Sequence, residues 1–317
     1  MDTTVHQSAV PTTWIQEQCC QRKDKVVFVM GSTGTGKSRL AIDLATRFSA
    51  EVINCDKIQV HRGLDIVTNK VTKEEQRGVP HHFLGTVEPD VDFPAEEFSL
   101  QASELVTSLN SRDETVPIVA GGSTSYIEAL ATGNSGVRLK YDCCFLWVDV
   151  SLPVLYSFVS RRVDKMVREG LVEEVREMFD FENFDYSHGI RRAIGVPELD
   201  NYFRNETLLN PRDRGRILDG AISKIKDNTC RLGYRQLQKI QRLHSLWFWH
   251  VHRIDATEVF LKSGDDADEA WEKVVASPSA AIVHRFLNDS TLVPSHFNVD
   301  FGVSKGRRAL AASGGGR

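Results

Sequence analysis

The segment VVFVMGSTGTGKS, residues 26–38, decides the fold. Its last eight residues fit the pattern G-x-x-x-x-G-K-[S/T] at every position. The apolar, β-branched run before them predicts a buried parallel strand. After them, apolar residues recur at helical spacing at Leu40, Leu44 and Phe48, which predicts a helix. Strand, glycine-rich loop and helix together predict a loop that binds a polyphosphate.

The residue types of this loop indicate what it binds. The glycines let backbone N–H groups point into one concavity, the helix N-terminus adds partial positive charge, and Lys37 adds a full charge. Ser38 offers a hydroxyl group to Mg²⁺, so the expected cofactor is Mg²⁺ held at Ser38 through the bound diphosphate. Asp149, at the end of a predicted strand, is a candidate metal ligand of the kind that ATPases use. The predicted diphosphate-binding residues are Gly31, Ser32, Gly34, Thr35, Gly36, Lys37 and Ser38.

The rest of the chain supplies further strands and then a helical stretch. Short apolar runs predict strands at 51–55, 116–120, 144–150 and 247–251. Strands separated by helices indicate an α/β fold, a P-loop NTPase-like parallel sheet with helices on both faces. After Ser151 the spacing turns helical, and one long helix is predicted from about Arg212 to Leu243. The predicted parts are a flexible tail at 1–23, the P-loop α/β core at 24–150, a helical substrate-binding subdomain at 151–245, a return to the core at 246–303 and a disordered tail at 304–317.

Composition excludes several classes of protein. The chain has 39 basic and 43 acidic residues among 317, so charge alone does not hold it on nucleic acid. Its apolar runs are too short to span a membrane. The six cysteines form no Cys-x-x-Cys pair and are expected to be free thiols. His81 and His82 lack a third ligand at suitable spacing, so loop packing is favoured over a metal site.

Three further motifs carry a family resemblance. They are NCDKIQVHRGLDIVTNK at 54–70, GVPHH at 78–82 and GGSTSY at 121–126. With the phosphate loop, they resemble the adenine isopentenyltransferases, and most closely the plant adenylate isopentenyltransferases of cytokinin synthesis. The tRNA isopentenyltransferases are similar too. The resemblance covers about residues 25–255.

The resemblance implies a prenyl transfer. A dimethylallyl group passes from its diphosphate to the exocyclic N6 amine of an adenine nucleotide, and diphosphate leaves. The residues fit this chemistry, because the leaving group must be neutralised and the weakly nucleophilic amine needs a carboxylate to take its proton. Asp56 is the candidate base, since it follows a strand where ligands bind in open α/β sheets and matches the family's catalytic Asp. The alternative is that Asp56 caps a following turn; Asp65 is a rival that more often fixes loop geometry.

Other site residues also follow from the resemblance. Thr33 and Arg192 match family residues that hydrogen-bond the oxygen joining the prenyl group to the diphosphate. Arg191 competes with Arg192 for this role, and either could be a solvated surface arginine. The residues expected to line the nucleotide or prenyl pocket are Thr68, Lys70, Ser123 and Tyr126.

A basic stripe follows the long predicted helix. Lys224, Arg231, Arg235 and Arg242 fall close to one line at 100° per residue, away from the apolar arc. We expect Lys224 and Arg231 to meet the phosphates of the nucleotide. The alternative is a solvated charged face.

Three functions therefore stay open. The favoured one is transfer to free ATP or ADP, and also AMP, by a monomer that binds no nucleic acid and no membrane. A tRNA isopentenyltransferase is the first alternative, against which stand the net charge of −4 and the lack of a Cys/His finger after residue 244. A phosphate-loop nucleotide kinase is the second. With no transit peptide evident, the expected location is the plastid or the cytosol.

Overall fold

The sheet at the centre of the protein is wholly parallel. In the computed structural model, which describes residues 24–112, 115–133, 136–246 and 250–288, six strands lie in the order β3-β2-β4-β1-β5-β6. The strands are β1 (Lys25–Gly31), β2 (Ala50–Asn54), β3 (His81–His82), β4 (Val116–Gly121), β5 (Asp142–Asp149) and β6 (Val251–Asp255). The predicted α/β class with a phosphate-loop sheet is confirmed.

Helices cover both faces of the sheet. Those of the core are α1 (Lys37–Phe48), α2 (Lys73–Gln76), α3 (Ala95–Asn110), α4 (Thr124–Thr132) and α5 (Val137–Lys140). Phe28 and Met30 of β1 pack with α3 and α4, while Val27 and Val29 face α1. Alternate residues of one strand are thus buried on opposite faces, as a doubly covered parallel strand requires.

A helical unit follows β5. It comprises α6 (Leu152–Arg168), α7 (Leu171–Glu177), a 3-10 turn (Gly189–Arg192), α8 (Val196–Asn205) and the 36-residue α9 (Pro211–Leu246). Its members share a buried apolar cluster of their own, which also takes in Leu64 and Val67 from the chain after β2. The helical unit therefore packs directly on the loop that carries the second sequence motif.

The predicted strand at 247–251 is misplaced. Residues 247–249 lie outside the described residues, and the strand that joins the sheet is β6, Val251–Asp255. It pairs with β5 alone and buries little besides Ile254, so its sequence lacks the continuous apolar run of an inner strand. The tails predicted at 1–23 and 304–317 also lie outside the described residues.

Residues 257–288, which follow β6, are mostly helical, and the sequence patterns did not predict this. They form α10 (Thr257–Phe260), α11 (Asp265–Trp271), a π-helical turn (Glu272–Ala276) and α12 (Ser277–Asn288). Trp271 packs against Gly36 of the phosphate loop and donates to Asp43 of α1. In the described parts of the chain, no helix is long and apolar enough to cross a membrane.

Candidate active site

Three strand ends meet at one edge of the sheet. The order β2-β4-β1 places the phosphate loop after β1, Asp56 after β2 and Gly121-Gly122 after β4 side by side. The Ser123 N–H group donates to the Cys55 carbonyl at 3.2 Å, and the Lys57 N–H group donates to the Ser123 hydroxyl at 2.9 Å. A side chain at Gly121 would lie 1.9 Å from the Cys55 carbonyl oxygen, which explains the glycine. The phosphate loop, the motif at 54–70 and the motif at 121–126 therefore meet at this edge of the sheet.

The backbone of the phosphate loop folds around the Lys37 side chain. Lys37 Nζ donates to the Ser32 carbonyl at 2.7 Å, and Gly34 and Gly36 have φ values of +85° and +89°, which favour glycine. Burial lowers the pKa of the Lys37 ammonium to about 8, although Asp56 raises it and Arg162 lowers it further. In the described structure, Lys37 is half-buried and has no ion-pair partner, so its charge favours an incoming anion.

Arg162 is a second cation at this loop, and the sequence patterns did not single it out. From α6, Arg162 Nη2 donates to the Thr33 hydroxyl at 3.1 Å. Its Nε atom is enclosed without a partner, and burial lowers the pKa of the guanidinium to about 10. The signal in the sequence is its place on the apolar face of a helix, seven residues after Leu155 and three after Val159.

A buried glutamine from α9 fixes the mouth of the loop. Gln236 Oε1 accepts the Thr33 N–H group at 2.7 Å, and Gln236 Nε2 donates to the Gly122 carbonyl at 3.0 Å. The Ser32 hydroxyl donates to the Gly233 carbonyl at 2.9 Å. The long helix thus joins the loop after β1 to the turn after β4. Gln236 too was missed, though it interrupts the apolar arc that carries Leu232 and Ile240.

Asp56 caps a turn next to the phosphate loop. Its Oδ1 atom accepts the Ile58 N–H group at 2.9 Å and the Gln59 N–H group at 3.4 Å, so it does cap a turn. Its charge also acts on Lys37, as given above, which puts the carboxylate beside the phosphate loop. Its role as a base stays a prediction.

The two neighbouring arginines have different surroundings. Arg191 is buried, donates through Nε to the Asp185 carbonyl at 3.0 Å and lies over the Tyr186 ring at 5.2 Å. Arg192 is half-buried, pairs with Asp92 at 3.0 Å and acts electrostatically on Lys57. Of the two, only Arg192 is placed near Asp56 by these contacts.

Most of the predicted pocket residues form hydrogen bonds or ion pairs with neighbouring groups of the protein. Tyr126 is buried, its hydroxyl donates to the Phe93 carbonyl, and burial raises its pKa. The Thr68 hydroxyl donates to the Leu64 carbonyl at 2.7 Å. Lys70 Nζ donates to the Gly63 carbonyl and pairs with Asp65 at 2.7 Å. Of these four residues, only Ser123 lies at the edge where the three strands end, where its hydroxyl accepts the Lys57 N–H group.

The basic stripe is exposed to solvent. Lys224 and Arg231 are both exposed, and no hydrogen bond or ion pair within the described residues joins either to the phosphate loop. Arg231 lines an open groove of about 510 Å³ with Tyr156 and Tyr234. Lys57, Arg192 and Lys239 lie near Asp56. Burial first, then the charges of Arg192 and Lys239, lower the pKa of Lys57, while Asp56 raises it.

The remaining titratable candidates are paired elsewhere. Asp149 accepts from Arg253 at 2.7 Å, on the β6 side of β5. His82 Nε2 lies 2.6 Å from Glu51, and His81 contacts the Val79 carbonyl at 2.8 Å. Over residues 24–288 without the gaps given above, no group of three His, Cys, Asp or Glu side chains could hold a metal ion.

These features define a phosphate-loop α/β protein in which two cations at the loop, Lys37 and Arg162, form no ion pair within the described residues. The pattern of the IPP transferase family matches residues 59–139 and 134–242. Adenylate isopentenyltransferase 5, chloroplastic, of Arabidopsis thaliana is 64% identical over 272 residues, which are 85% of this chain and 82% of that protein. Adenylate isopentenyltransferase 7, mitochondrial, of the same plant is 58% identical over 84% of this chain and 82% of its own. An adenylate isopentenyltransferase of Humulus lupulus is 42% identical, covering 82% of this chain and 90% of its own.

Solved structures agree on the fold. A tRNA isopentenylpyrophosphate transferase of Bacillus halodurans, 26% identical, superposes with a TM-score of 0.63 over 83% of this chain and 98% of its own. A eukaryotic dimethylallyltransferase acting on tRNA, 20% identical, superposes with a TM-score of 0.69 over 83% of this chain and 79% of its own. The chain belongs to the IPP transferase family, and within it to the adenylate isopentenyltransferases.

Proposed function

We propose that this enzyme transfers the dimethylallyl group of dimethylallyl diphosphate to the N6 amine of a free adenine nucleotide, ATP or ADP and also AMP, in cytokinin biosynthesis. Diphosphate is released. The observation that carries the proposal is the pair of cations at the phosphate loop, Lys37 and Arg162, which have no ion-pair partner in the described structure; Asp56 acts electrostatically on Lys37, and Arg162 donates to Thr33. The identity of 64% to an adenylate isopentenyltransferase supports the choice of donor and acceptor.

The cations act on the leaving group. As the bond between the prenyl carbon and the bridging oxygen breaks, negative charge develops on the diphosphate. Lys37 and Arg162 stabilise this charge in a partly desolvated site, where electrostatic contacts are stronger than in water. Thr33 and Arg192 are assigned to the bridging oxygen, and the Gln236 hydrogen bond holds Thr33 in place.

Asp56 acts on the acceptor. Its carboxylate accepts a hydrogen bond from the N6 amine, which raises the nucleophilicity of the nitrogen, and takes the proton as the new carbon–nitrogen bond forms. One oxygen of Asp56 is held by the turn it caps. This anchoring fixes the orientation of the carboxylate, which general-base catalysis requires.

Mg²⁺ fits the side chains beside the loop. Ser38 is exposed and its hydroxyl has no partner within the described residues, while Asp56 is a carboxylate that acts on Lys37. One hydroxyl with diphosphate oxygens and water is the oxygen-rich set that Mg²⁺ prefers. Ser38 would hold the ion through the diphosphate, and the ion would neutralise leaving-group charge. Asp149 is a poor ligand because Arg253 occupies its carboxylate.

The acceptor is inferred to be a nucleotide. Lys57, Lys239 and Arg192 give the surroundings of Asp56 a positive charge that suits the phosphates of a nucleotide. The tRNA enzymes share the fold, so modification of an anticodon-loop adenosine is the second candidate. A monomer that binds no nucleic acid stays a prediction. So does a plastid or cytosolic location, although relatives named above are chloroplastic and mitochondrial.

The test is incubation of the purified enzyme and Mg²⁺ with dimethylallyl diphosphate and, separately, ATP, ADP, AMP or unmodified tRNA. Mass spectrometry of the products should show a dimethylallyl group on N6 of the free nucleotides, with diphosphate released in equal amount. Modification of tRNA alone would favour the second candidate. Transfer of a phosphoryl group from ATP, with no prenyl product, would indicate a nucleotide kinase.

A further inference from the structure

One short segment connects the two halves of the active site. Residues 86–92, here called the linking segment, run between β3 and α3. At one end, the Val87 N–H group donates to the Val60 carbonyl at 2.9 Å and the Arg62 N–H group donates to the Val87 carbonyl at 2.8 Å. The linking segment is thereby bonded to the loop that begins at Asp56.

The other end holds the 3-10 turn of the helical unit. The Ile190 N–H group donates to the Pro89 carbonyl at 2.8 Å. Gly189 has a φ of +51°, and a side chain there would lie 1.9 Å from the same carbonyl oxygen, so backbone meets backbone at this point. The backbone of the linking segment is therefore in direct contact with the backbone of the turn.

Asp92 completes this contact and reaches Arg192. A single oxygen, Asp92 Oδ1, accepts the Gly189 N–H group at 3.1 Å and lies 3.0 Å from Arg192 Nη2. Arg192 also donates through Nε to the Gly189 carbonyl at 3.2 Å. The guanidinium is thus held on two sides, by its own turn and by a carboxylate from the core.

We propose that Asp92 is a positioning residue: it aims Arg192 at the bridging oxygen of the prenyl donor, and the linking segment fixes Arg192 relative to Asp56. The proposal rests on the proposed function. An ion pair this exposed adds little to stability, because its carboxylate is 48% and its guanidinium 32% exposed. Its value lies in orientation, since displacement of a reacting group by about 1 Å can cost as much as 10²-fold in rate.

His61 supports the same connection. It is fully buried, and its Nδ1 atom lies 3.2 Å from the Glu88 carbonyl. The chain between Asp56 and the linking segment is therefore anchored by a side chain as well as by the backbone.

The experiment compares Asp92→Asn with Asp90→Asn. Asparagine keeps an oxygen for the Gly189 N–H group but removes the charge that attracts Arg192. Asp90 lies two residues away in the same segment, is exposed, and its carboxylate has no partner within the described residues, so D90N is the matched control. Arg192→Gln and the double variant D92N/R192Q complete a mutant cycle. Thermal denaturation and steady-state kinetics with dimethylallyl diphosphate and ATP are measured for all.

We expect D92N to lower kcat about tenfold, with an unchanged Tm and KM values within about twofold, because the contact with the bridging oxygen matters most in the transition state. D90N should match the wild type. In the R192Q background, D92N should cause no further loss. A wild-type kcat in D92N, or an equal loss with and without Arg192, would overturn the proposal. The proposed function fails separately, by an absence of prenyl transfer in the wild type and D90N.

Discussion

The phosphate loop and the turn at residues 61–70 both have cations beside them, but the two sets of cations have different surroundings. At the phosphate loop, Lys37 and Arg162 are half-buried, desolvation lowers the pKa of each, and neither has an ion-pair partner in the described structure. In the 61–70 turn, Arg62 pairs with Glu88 at 2.6 Å and Lys70 pairs with Asp65. Desolvation of a cation that has no ion-pair partner is unfavourable, and a bound anion offsets this cost. The comparison therefore distinguishes cations that are available to bind a ligand from cations whose ion pairs stabilise the folded chain.

The largest expected effect tests the carboxylate beside the unpaired cations. Asp56→Asn keeps an acceptor for the Ile58 N–H group and removes only the charge. We expect kcat for prenyl transfer to fall by about 10²–10⁴, the usual contribution of a general base, with an unchanged Tm. Turnover is followed by product mass spectrometry. A folded variant with wild-type kcat would reduce Asp56 to a turn cap.

The next effect concerns Arg162 itself. Arg162→Gln should raise the Kd for dimethylallyl diphosphate by about 30-fold or more, because loss of a buried charge partner costs about 2–5 kcal/mol. The Kd for ATP should change much less. Titration calorimetry with each ligand alone measures both values.

Arg161→Gln is the matched control, since Arg161 is exposed and, among the residues that the structure describes, donates only to Ser157, at 2.6 Å. If R161Q and R162Q weaken donor binding equally, the cation at the loop has no special role. A collapse of ATP binding instead would place ATP in the loop, as in a kinase.

A paired cation should affect stability more than catalysis. Lys70→Met leaves the Gly63 carbonyl without its donor, and the Lys70 side chain is only 6% exposed. We expect a loss of about 1–3 kcal/mol in the free energy of unfolding, seen as a Tm lower by several degrees. Lys73→Met, on the exposed side of α2, is the control. If K70M has a normal Tm and a strongly raised KM, Lys70 lines the substrate pocket, as predicted from the sequence.

The smallest effect is expected from the exposed stripe. Lys224→Gln with Arg231→Gln should raise KM for ATP and ADP by no more than about fivefold, since exposed charges contribute about 1 kcal/mol or less and are screened by salt. Lys57→Gln, next to Asp56, should raise the same KM values more. Steady-state assays at low and high salt distinguish the two. A larger rise in KM for K224Q/R231Q than for K57Q would contradict the distinction between the exposed stripe and the cations near Asp56.

Local signals in the sequence were sufficient for much of the fold. The phosphate loop, its strand and its helix occupy consecutive residues, so their pattern needs no knowledge of distant contacts. The inner strands β1, β2, β4 and β5 are short apolar runs because both of their faces are buried. β6 lies at the edge of the sheet and carries polar residues, and the sequence prediction placed it too early.

The sequence by itself therefore determined the phosphate loop, the parallel sheet and the strand end at which Asp56 stands. Only the tertiary structure decided which charges face the loop. Arg162 and Gln236 lie 129 and 203 residues from Thr33, and no periodicity links positions so far apart. Likewise, Arg191 and Arg192 are neighbours in sequence, but one is buried against Tyr186 and the other meets Asp92. Burial and pairing depend on what packs against a side chain, and that is a property of the folded chain alone.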